Sequence, residues 1–417
     1  MPPQHSGFDR LTNAGVATSQ KDANAFARWE PHIRSFVCLS EPMPAPTAGP
    51  LSGLTVGVKD IIDVSGLPTH NGSATCADAS PAQSDASVVA RLRAAGARIV
   101  GKTVTTEFAF TDPTDCRNPY DIARSPGGSS SGSGAAVAAG LVDLALGTQT
   151  AGSLCRPAAY CGAVGLKPSF RSLPTAGVTP LARSFDSVGV IARSVDVARA
   201  AFLAMCEPEV GVAGHVSTAT WWLLPGDIRP APDIFLALEA ATEALSRYCQ
   251  VRQAPSVPCD TDAIVNAHRT VMQAEAAEVH NHLLHGTKAD LLRPKFRAGL
   301  EAGVRFNAAD IAAARHVLKR ATEEFWRAMQ GVDAILTLPV PEGAPRLDGS
   351  TGFQDWLTPW TVFGGPLITL PWGLDRLGRP CAVMLAGKPT ADLALLDLAE
   401  QLERHAPLIV PPEPPSV

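Results

Sequence analysis

Three groups of residues in this chain have types and positions that suit acyl transfer. Residues 127–134 read Gly-Gly-Ser-Ser-Ser-Gly-Ser-Gly and lead into an Ala/Val-rich helix over 135–139 that Gly140 can stop. A glycine-rich stretch at a helix start offers free backbone N–H groups to an anion or oxyanion. A flexible linker would join domains through polar sequence, whereas this run passes directly into AAVAAGLVDLALG, a small-residue helix and an apolar strand. A phosphate-binding loop needs Lys and Ser or Thr after its last glycine; Gly132 is followed by Ser133 and Gly134, so that reading fails. The pattern GxSxG spans Gly128 to Gly132 with Ser130 at its centre. A nucleophile elbow needs a strand before it, and residues 117–126 are instead a polar, Pro-bounded stretch.

The second group centres on Ser153, which follows Ala151-Gly152 at the end of an apolar strand, where small residues let backbone N–H groups converge on one point. The third is Lys59, at the end of the strand-like run LTVGV (54–58) and followed by Asp60-Ile61-Ile62-Asp63. A serine after glycine is commonly a turn residue, and a strand-end lysine is commonly solvated. Desolvation disfavours the ammonium, however, so a lysine held inside beside hydroxyls can act as a base, and serine with lysine replaces the serine–histidine pair in some hydrolases.

The elements that must position these groups alternate along the chain. Ser84 or Asp85 can cap a helix with Val88, Val89, Leu92 and Ala95 on one face; Gly96 ends it, and a strand follows at 98–100. Ser194 caps a second helix. Strand-like runs recur at 221–224, 334–338, 367–370 and 382–386, and helical periodicity fills roughly 232–250, 262–285 and 307–329. In the last of these Ile311, Ala314, Leu318, Ala321 and Phe325 form the apolar stripe. Interleaved helices and strands define an α/β chain. Residues 40–50 read as a Pro-rich connector, with the organised part starting at Leu54, and the tail from Pro407 reads as an extended surface segment.

Composition excludes other classes. The 417 residues are 46% apolar and 18% charged, which rules out disorder and fibrous architectures. With 35 basic against 40 acidic side chains and no long run of either sign, nothing is built to neutralise a nucleic-acid backbone. Nine scattered cysteines without CxxC pairs read as reduced thiols. Met1 to Asp9 lack the layout of a signal peptide, and no apolar run is long enough to span a membrane, so the expectation is a soluble cytoplasmic protein. His280, His282 and His285 lack a carboxylate or cysteine to complete a metal set, and no metal is expected there.

Together these residues form a pattern that closely resembles the amidase signature family of serine hydrolases, from about Ser35 to Leu402. Its core is residues 57–63 (GVKDIID), 68–73, 107–109, 125–133 (SPGGSSSGS), the Ser153 block, 184–194 (SFDSVGVIARS) and 358–371. The resemblance implies a single amidase signature domain over 51–405, after an N-terminal segment and connector (1–50) and before an extended tail (406–417). Its catalytic core would span about 51–200 and its substrate-shaping region about 205–365. The implied fold is α/β, a large mixed twisted β-sheet covered by helices on both faces. The family's lysine falls on Lys59, its cis-serine on Ser129 and its nucleophile on Ser153; the oxyanion hole falls on the backbone N–H groups of Thr150, Ala151, Gly152 and Ser153. On this alignment Ser130 is not the nucleophile; Ser130 and Ser131 support the site by hydrogen bonds, while Asp60 and Asp63 orient the loop or cap local turns. No metal or organic cofactor is needed.

Departures from the common pattern bear on the substrate. Gln149 and Ala151 stand where the family has Asp and Gly. Cys155 stands where it has Arg, and an arginine follows one residue later, at Arg156. This resembles the malonamidase branch, in which the arginine receives a substrate carboxylate. Arg156, Gln149 and Tyr160 are therefore the expected substrate-binding positions, for a short anionic amide such as a malonamate. Arg156 as a structural residue paired with an acidic neighbour stays open. Cys155 is expected to pack. One alternative keeps the machinery for aryl amides, carbamates or esters, with Trp356, Trp360, Phe363 and Tyr160 lining a broader pocket. Another is an amidotransferase A-type subunit of a transamidation assembly, which the short chain and absent basic patch weaken. The partner is a small-molecule amide, neither nucleic acid nor membrane, and the resemblance admits a homodimer.

Overall fold

Short β-branched and leucine-rich runs bounded by Gly and Pro become strands here, and the runs of 3.6-residue periodicity between them become helices. The computed structural model describes residues 20–40, 48–207, 214–252, 254–257, 259–347, 349–410 and 412–415. Met1 to Asp9 and residues 41–47 of the connector lie outside them. The first half runs α1 (Gln20–Ile33), β1 (Phe36–Leu39), β2 (Thr55–Lys59), α2 (Ser87–Ala94), β3 (Arg98–Thr103), α3 (Ser131–Ala138), β4 (Leu144–Gln149), α4 (Cys155–Tyr160), β5 (Val164–Lys167), β6 (Ser187–Ala192) and α5 (Val195–Met205). There follow β7 (Thr218–Trp221), α6 (Pro232–Leu245), β8 (Gln250–Arg252), α7 (Thr261–His280), α8 (Pro294–Arg305) and α9 (Ala308–Ala328). The chain closes with β9 (Ala334–Thr337), α10 (Thr358–Val362), β10 (Leu367–Leu374), β11 (Pro380–Gly387) and α11 (Asp392–Glu403).

Among the described residues the strands form one mixed sheet in the order β1-β3-β2-β4-β6-β5-β10-β11-β9-β7-β8. β2 is parallel to both β3 and β4; β4 pairs antiparallel with β6, and β10 antiparallel with β5 and β11. Alternate residues of a strand point to opposite faces, and here both faces are packed. Leu144 and Leu146 of β4 join the large core with Val188 and Val190 of β6, whereas Ala145 and Ile191 join a second core with Trp29, Ile33, Ala135 and Val137. Helices α1 and α3 therefore cover one face, and α2, α5, α6 and α11 the other. This is the expected α/β architecture with helices on both faces.

Several boundaries differ from the sequence reading. Organised chain begins well before Leu54, because α1 is formed and β1 pairs with β3 at the sheet edge. Ala86 occupies the cap position of α2 without a side-chain bond; Asp85 instead accepts from the Ser65 amide and pairs with Arg93, and Ser84 makes no cap. The Trp221–Trp222 strand lies three residues earlier, at β7, because Asp333 accepts from the Ser217 and Thr218 amides and fixes the start. The periodic stretch 232–250 stops as helix at Leu245, and 262–285 at His280, after which the chain tightens into a 3₁₀ turn. Periodicity overlooked α8, whose glycines lower helix propensity. A Cβ on Gly303 would sit 2.0 Å from the Gln273 carbonyl oxygen, so that glycine lets α8 lie directly on α7. Pro407 to Val410 and residues 412–415 carry no regular structure.

Candidate active site

In open α/β sheets, sites form at the carboxyl ends of strands. β2 delivers Lys59 there as its last residue, flanked by the parallel strands β3 and β4. Lys59 is 0% exposed, and its Nζ donates to Ser129 Oγ and to Thr148 Oγ1, both at 2.7 Å. It makes no ion pair among the described residues. Burial holds its pKa well below the usual lysine value; the Arg156 charge adds to that effect and the Asp186 carboxylate opposes it. A buried lysine in direct contact with a serine oxygen can accept that serine's proton.

Ser129 follows a cis peptide bond from Gly128. The loop is fixed from several sides. Ser131 Oγ donates to the Gly127 carbonyl at 2.7 Å, Ser133 Oγ to that of Leu146 at 2.9 Å, and the Thr106 amide to that of Ser129 at 3.2 Å. Gly127 has φ of 85°, a backbone region that side chains disfavour, and its position is closed by Tyr160 and Pro157. Ser130 Oγ lies 3.4 Å from both the amide nitrogen and the carbonyl oxygen of Thr148, so it ties the loop to β4.

Ser153 sits in the turn between β4 and α4. It is 7% exposed where Ser129 is fully buried, so of the two serines it is the one that reaches open space. Its carbonyl accepts from the Ser130 amide at 3.4 Å, which seats the turn against the cis-serine loop; its hydroxyl makes no hydrogen bond among the described residues. The amides of Ala151, Gly152 and Ser153 likewise donate to no described group, whereas their carbonyls and that of Thr150 are all engaged. His268 Nε2 donates to the Thr150 carbonyl at 2.9 Å, Thr361 Oγ1 to that of Ala151, and the Arg156 amide to that of Gly152 at 3.1 Å. Thr150 Oγ1 also donates to Asp186 Oδ1 at 2.6 Å, and the other oxygen of Asp186 accepts from the Leu181 and Ala182 amides. Burial pushes the Asp186 carboxyl up to about 6 against these bonds.

Gln149 turns its side chain inward. Its Oε1 accepts from the Leu154 and Cys155 amides at 2.9 and 3.0 Å and its Nε2 donates to Thr361 at 2.9 Å, so the side chain braces the Ser153 turn internally. Arg156 behaves differently. It is buried, donates through Nη2 to the Gly128 carbonyl at 2.5 Å, and has no ion pair among the described residues; Nε and Nη1 are buried without partners. Tyr160, one turn further along α4, is also buried, and its phenol interacts with the Phe353 amide. Burial draws the guanidinium down to about 10 and pushes the phenol up to about 12, so arginine stays charged and tyrosine neutral near pH 7. Unpaired buried donors such as the Arg156 nitrogens are costly unless a ligand satisfies them.

Trp360 and Phe363 do not line a broad pocket: they pack edge-on to one another and against Phe325, which stacks on Phe363 at 3.8 Å, while Trp356 donates to the Leu338 carbonyl. Cys155 is fully buried and burial raises its thiol to about 11, consistent with packing. Asp60 forms a buried ion pair with Lys102 at 2.9 Å and Asp63 accepts from Thr69, so both order the loop after Lys59. His280 is buried against the Pro180 carbonyl while His282 and His285 are exposed. A cavity of about 570 Å³ opens beside Thr148, Thr150 and Asp186, with Ile61, Leu173 and Arg183 in its walls. Sequence reasoning missed Thr148, Asp186, His268 and Thr361. Thr148 was findable, being on the same strand face as Leu146, one step from the Ser153 turn; His268 and Thr361 carry no local signal.

The amidase family's sequence profile matches residues 17–213. The chain is 33% identical over 387 residues to 2-amino-5-chloromuconic acid deaminase of Comamonas testosteroni, covering 85% of this chain and 82% of that one. It is also 33% identical over 420 residues to the A-type subunit of the glutamyl-tRNA(Gln) amidotransferase of Anaeromyxobacter dehalogenans (strain 2CP-C), covering 87% and 85%. Among solved structures it is similar to the peptide amidase of Stenotrophomonas maltophilia, with a TM-score of 0.82 at 25% identity over 95% of this chain and 94% of that one. A crystal structure of an amidase gives 0.80 at 28% identity over 93% and 95%. The fold and these relatives together define a hydrolase of C–N bonds. The chain belongs to the amidase signature family. The relatives span several substrates, and the malonamidase branch is not singled out among them.

Proposed function

We propose that the protein is a cytoplasmic amidase that hydrolyses a small amide bearing a carboxylate, through an acyl-enzyme on Ser153. The observation that carries this reading is the buried Lys59 amine 2.7 Å from Ser129 Oγ. Neutral Lys59 takes a proton from Ser129 as Ser129 takes one from Ser153, and Ser153 Oγ bonds to the amide carbonyl carbon. The oxygen of that carbonyl becomes an oxyanion facing the unspent amides of the 150–153 turn. The C–N bond then breaks, and the relay returns the proton to the departing nitrogen. Water attacks the resulting ester, giving its proton to the same relay, and the acid leaves as Ser153 recovers its hydrogen. Thr148 holds the Lys59 amine in line with Ser129. No cofactor enters this sequence.

The carboxylate preference rests on Arg156, whose two buried, unpartnered nitrogens suit an oxyacid. The Comamonas relative, named for an acid substrate, supports the same class. Ammonia release from a panel of small anionic, neutral aliphatic and aryl amides tests the reading. Turnover is expected to favour the anionic amides and to fall at least about 1000-fold in Lys59→Ala, Ser129→Ala and Ser153→Ala. Arg156→Ala is expected to raise KM for anionic amides alone. Near-normal turnover in Ser153→Ala contradicts the nucleophile, and equal loss on neutral amides contradicts the carboxylate clamp.

A further inference from the structure

A planar trans peptide group points its C=O and the following N–H in opposite directions, so a bond that pins one carbonyl also aims the next amide. In the turn before α4 each carbonyl is pinned from a different part of the chain. Thr150 is held by His268 on α7, Ala151 by Thr361 on α10, Gly152 by the Arg156 amide and Ser153 by the Ser130 amide. The Gly128–Ser129 bond is the only cis peptide among the described residues, so the bonds joining 150 to 153 are trans. The amides of Ala151, Gly152 and Ser153, behind the first three of these carbonyls, therefore face away from their anchors and donate to no described group, while that of Leu154 donates to Gln149 Oε1.

We propose that His268 and Thr361 are positioning residues that aim the Ala151 and Gly152 amides at the oxyanion, an inference that rests on the amidase reading above. His268 is 2% exposed, its ring lies 4.3 Å from that of Phe185, and burial lowers its pKa to about 4, so the ring is neutral and its Nε2 carries the donated proton. The groups facing it are Arg269 and Glu275 of its own helix and the Thr150 carbonyl; among the described residues no carboxylate bonds to it. Thr361 receives Gln149 Nε2 as it donates to Ala151, so its hydroxyl proton has one direction to point. Both residues lie in the stretch expected to shape the substrate pocket. The same helices that would meet the substrate thus hold the amides that stabilise its transition state.

The test uses a fluorophosphonate probe, which needs no knowledge of the natural substrate. Ser153 Oγ bonds to phosphorus, the P–F bond breaks, fluoride leaves, the serine proton passes to the Ser129–Lys59 relay, and the phosphoryl oxygen occupies the oxyanion position. Labelling of Ser153 is located by mass spectrometry and its second-order rate measured. His268→Phe keeps the ring packing and removes the donor; Thr361→Val keeps the shape and removes the hydroxyl. Each is expected to slow labelling by about 10- to 100-fold, and to lower kcat on a hydrolysed amide with KM little changed. His268→Gln and Thr361→Ser, which keep a donor, are expected to recover most of the rate. Wild-type labelling rates in both truncating variants, or no rescue by the conservative ones, overturn the proposal. If His268→Phe does not fold, the Thr361 pair decides it by the same comparison. A wild-type enzyme that does not label at Ser153 overturns the serine-hydrolase reading and this inference with it, whereas normal wild-type labelling with unaffected variants overturns the inference alone.

Discussion

Among the described residues Lys59 faces two hydroxyls and no carboxylate in direct contact, so its protonation state is governed by burial and by more distant charges. The reaction needs the neutral amine, and neutral lysine is lost as pH falls through its pKa. Because that pKa lies well below the ordinary 10.5, the acidic limb of kcat/KM is expected well below 10.5, with activity sustained on its alkaline side. The Asp186 charge raises the Lys59 pKa, so Asp186→Asn is expected to shift the limb to lower pH. A limb unmoved in that variant, or one at an ordinary lysine position, contradicts the assignment. At this scale the sequence was informative where a residue type is rare in its setting. A lysine at the end of an apolar strand and serines in a glycine run were legible. The internal bonds of Gln149 were not legible, because a side-chain amide looks the same in sequence whether it meets a ligand or its own turn. Thr148, His268 and Thr361 act through contacts across the fold that spacing does not encode.

The elements around the site are held at their ends. The α8 N-terminus has amides that the helix itself cannot satisfy; Asp112 accepts from those of Lys295 and Phe296, at 3.1 and 2.8 Å, and Glu107 from that of Arg293. Asp112 is 4% exposed, so its loss strands buried donors. Asp112→Ala is expected to destabilise the protein by about 1–2 kcal/mol, read as a lower urea midpoint with an unchanged slope, and Asp112→Asn by less. Equal midpoints for the alanine variant and the parent would remove Asp112 as the anchor. Long periodic helices such as α9 were legible to within a residue or two, since Ala314, Leu318 and Phe325 bury one stripe. α8 was not, because its glycines answer to the Gln273 backbone and the Phe110 ring rather than to helix propensity. The cap of α2 was also misplaced, since Asp85 is drawn to Arg93 and the Ser65 amide.

Across the whole molecule, α1 and β1 are tied to the sheet by Glu30, 3% exposed, which accepts from Ser35 Oγ at 2.6 Å and the Phe36 amide at 2.7 Å. Burial raises its carboxyl from 4.5 to about 7. A carboxyl whose folded pKa is raised contributes stability that is full below the unfolded value and is lost as pH rises through the folded one. Replacing it by Glu30→Gln is therefore expected to flatten the decline in melting temperature between about pH 5 and pH 8, and parallel curves for the two proteins would contradict this. The α/β class was legible from alternating elements, but strand order was not, because pairings between distant segments leave no local trace. The clearest case is β10, formed by residues 367–374 yet lying between β5 and β11. On the ribosome, everything from β1 to β9 emerges before it. Until β10 and β11 arrive, β5 and β9 present bare edges toward the space those two strands will fill, a template for wrong partners. The nascent chain thus needs its last two strands to close the middle of its sheet, and a synthesis that stalls before Leu367 leaves two sticky pieces instead of an enzyme.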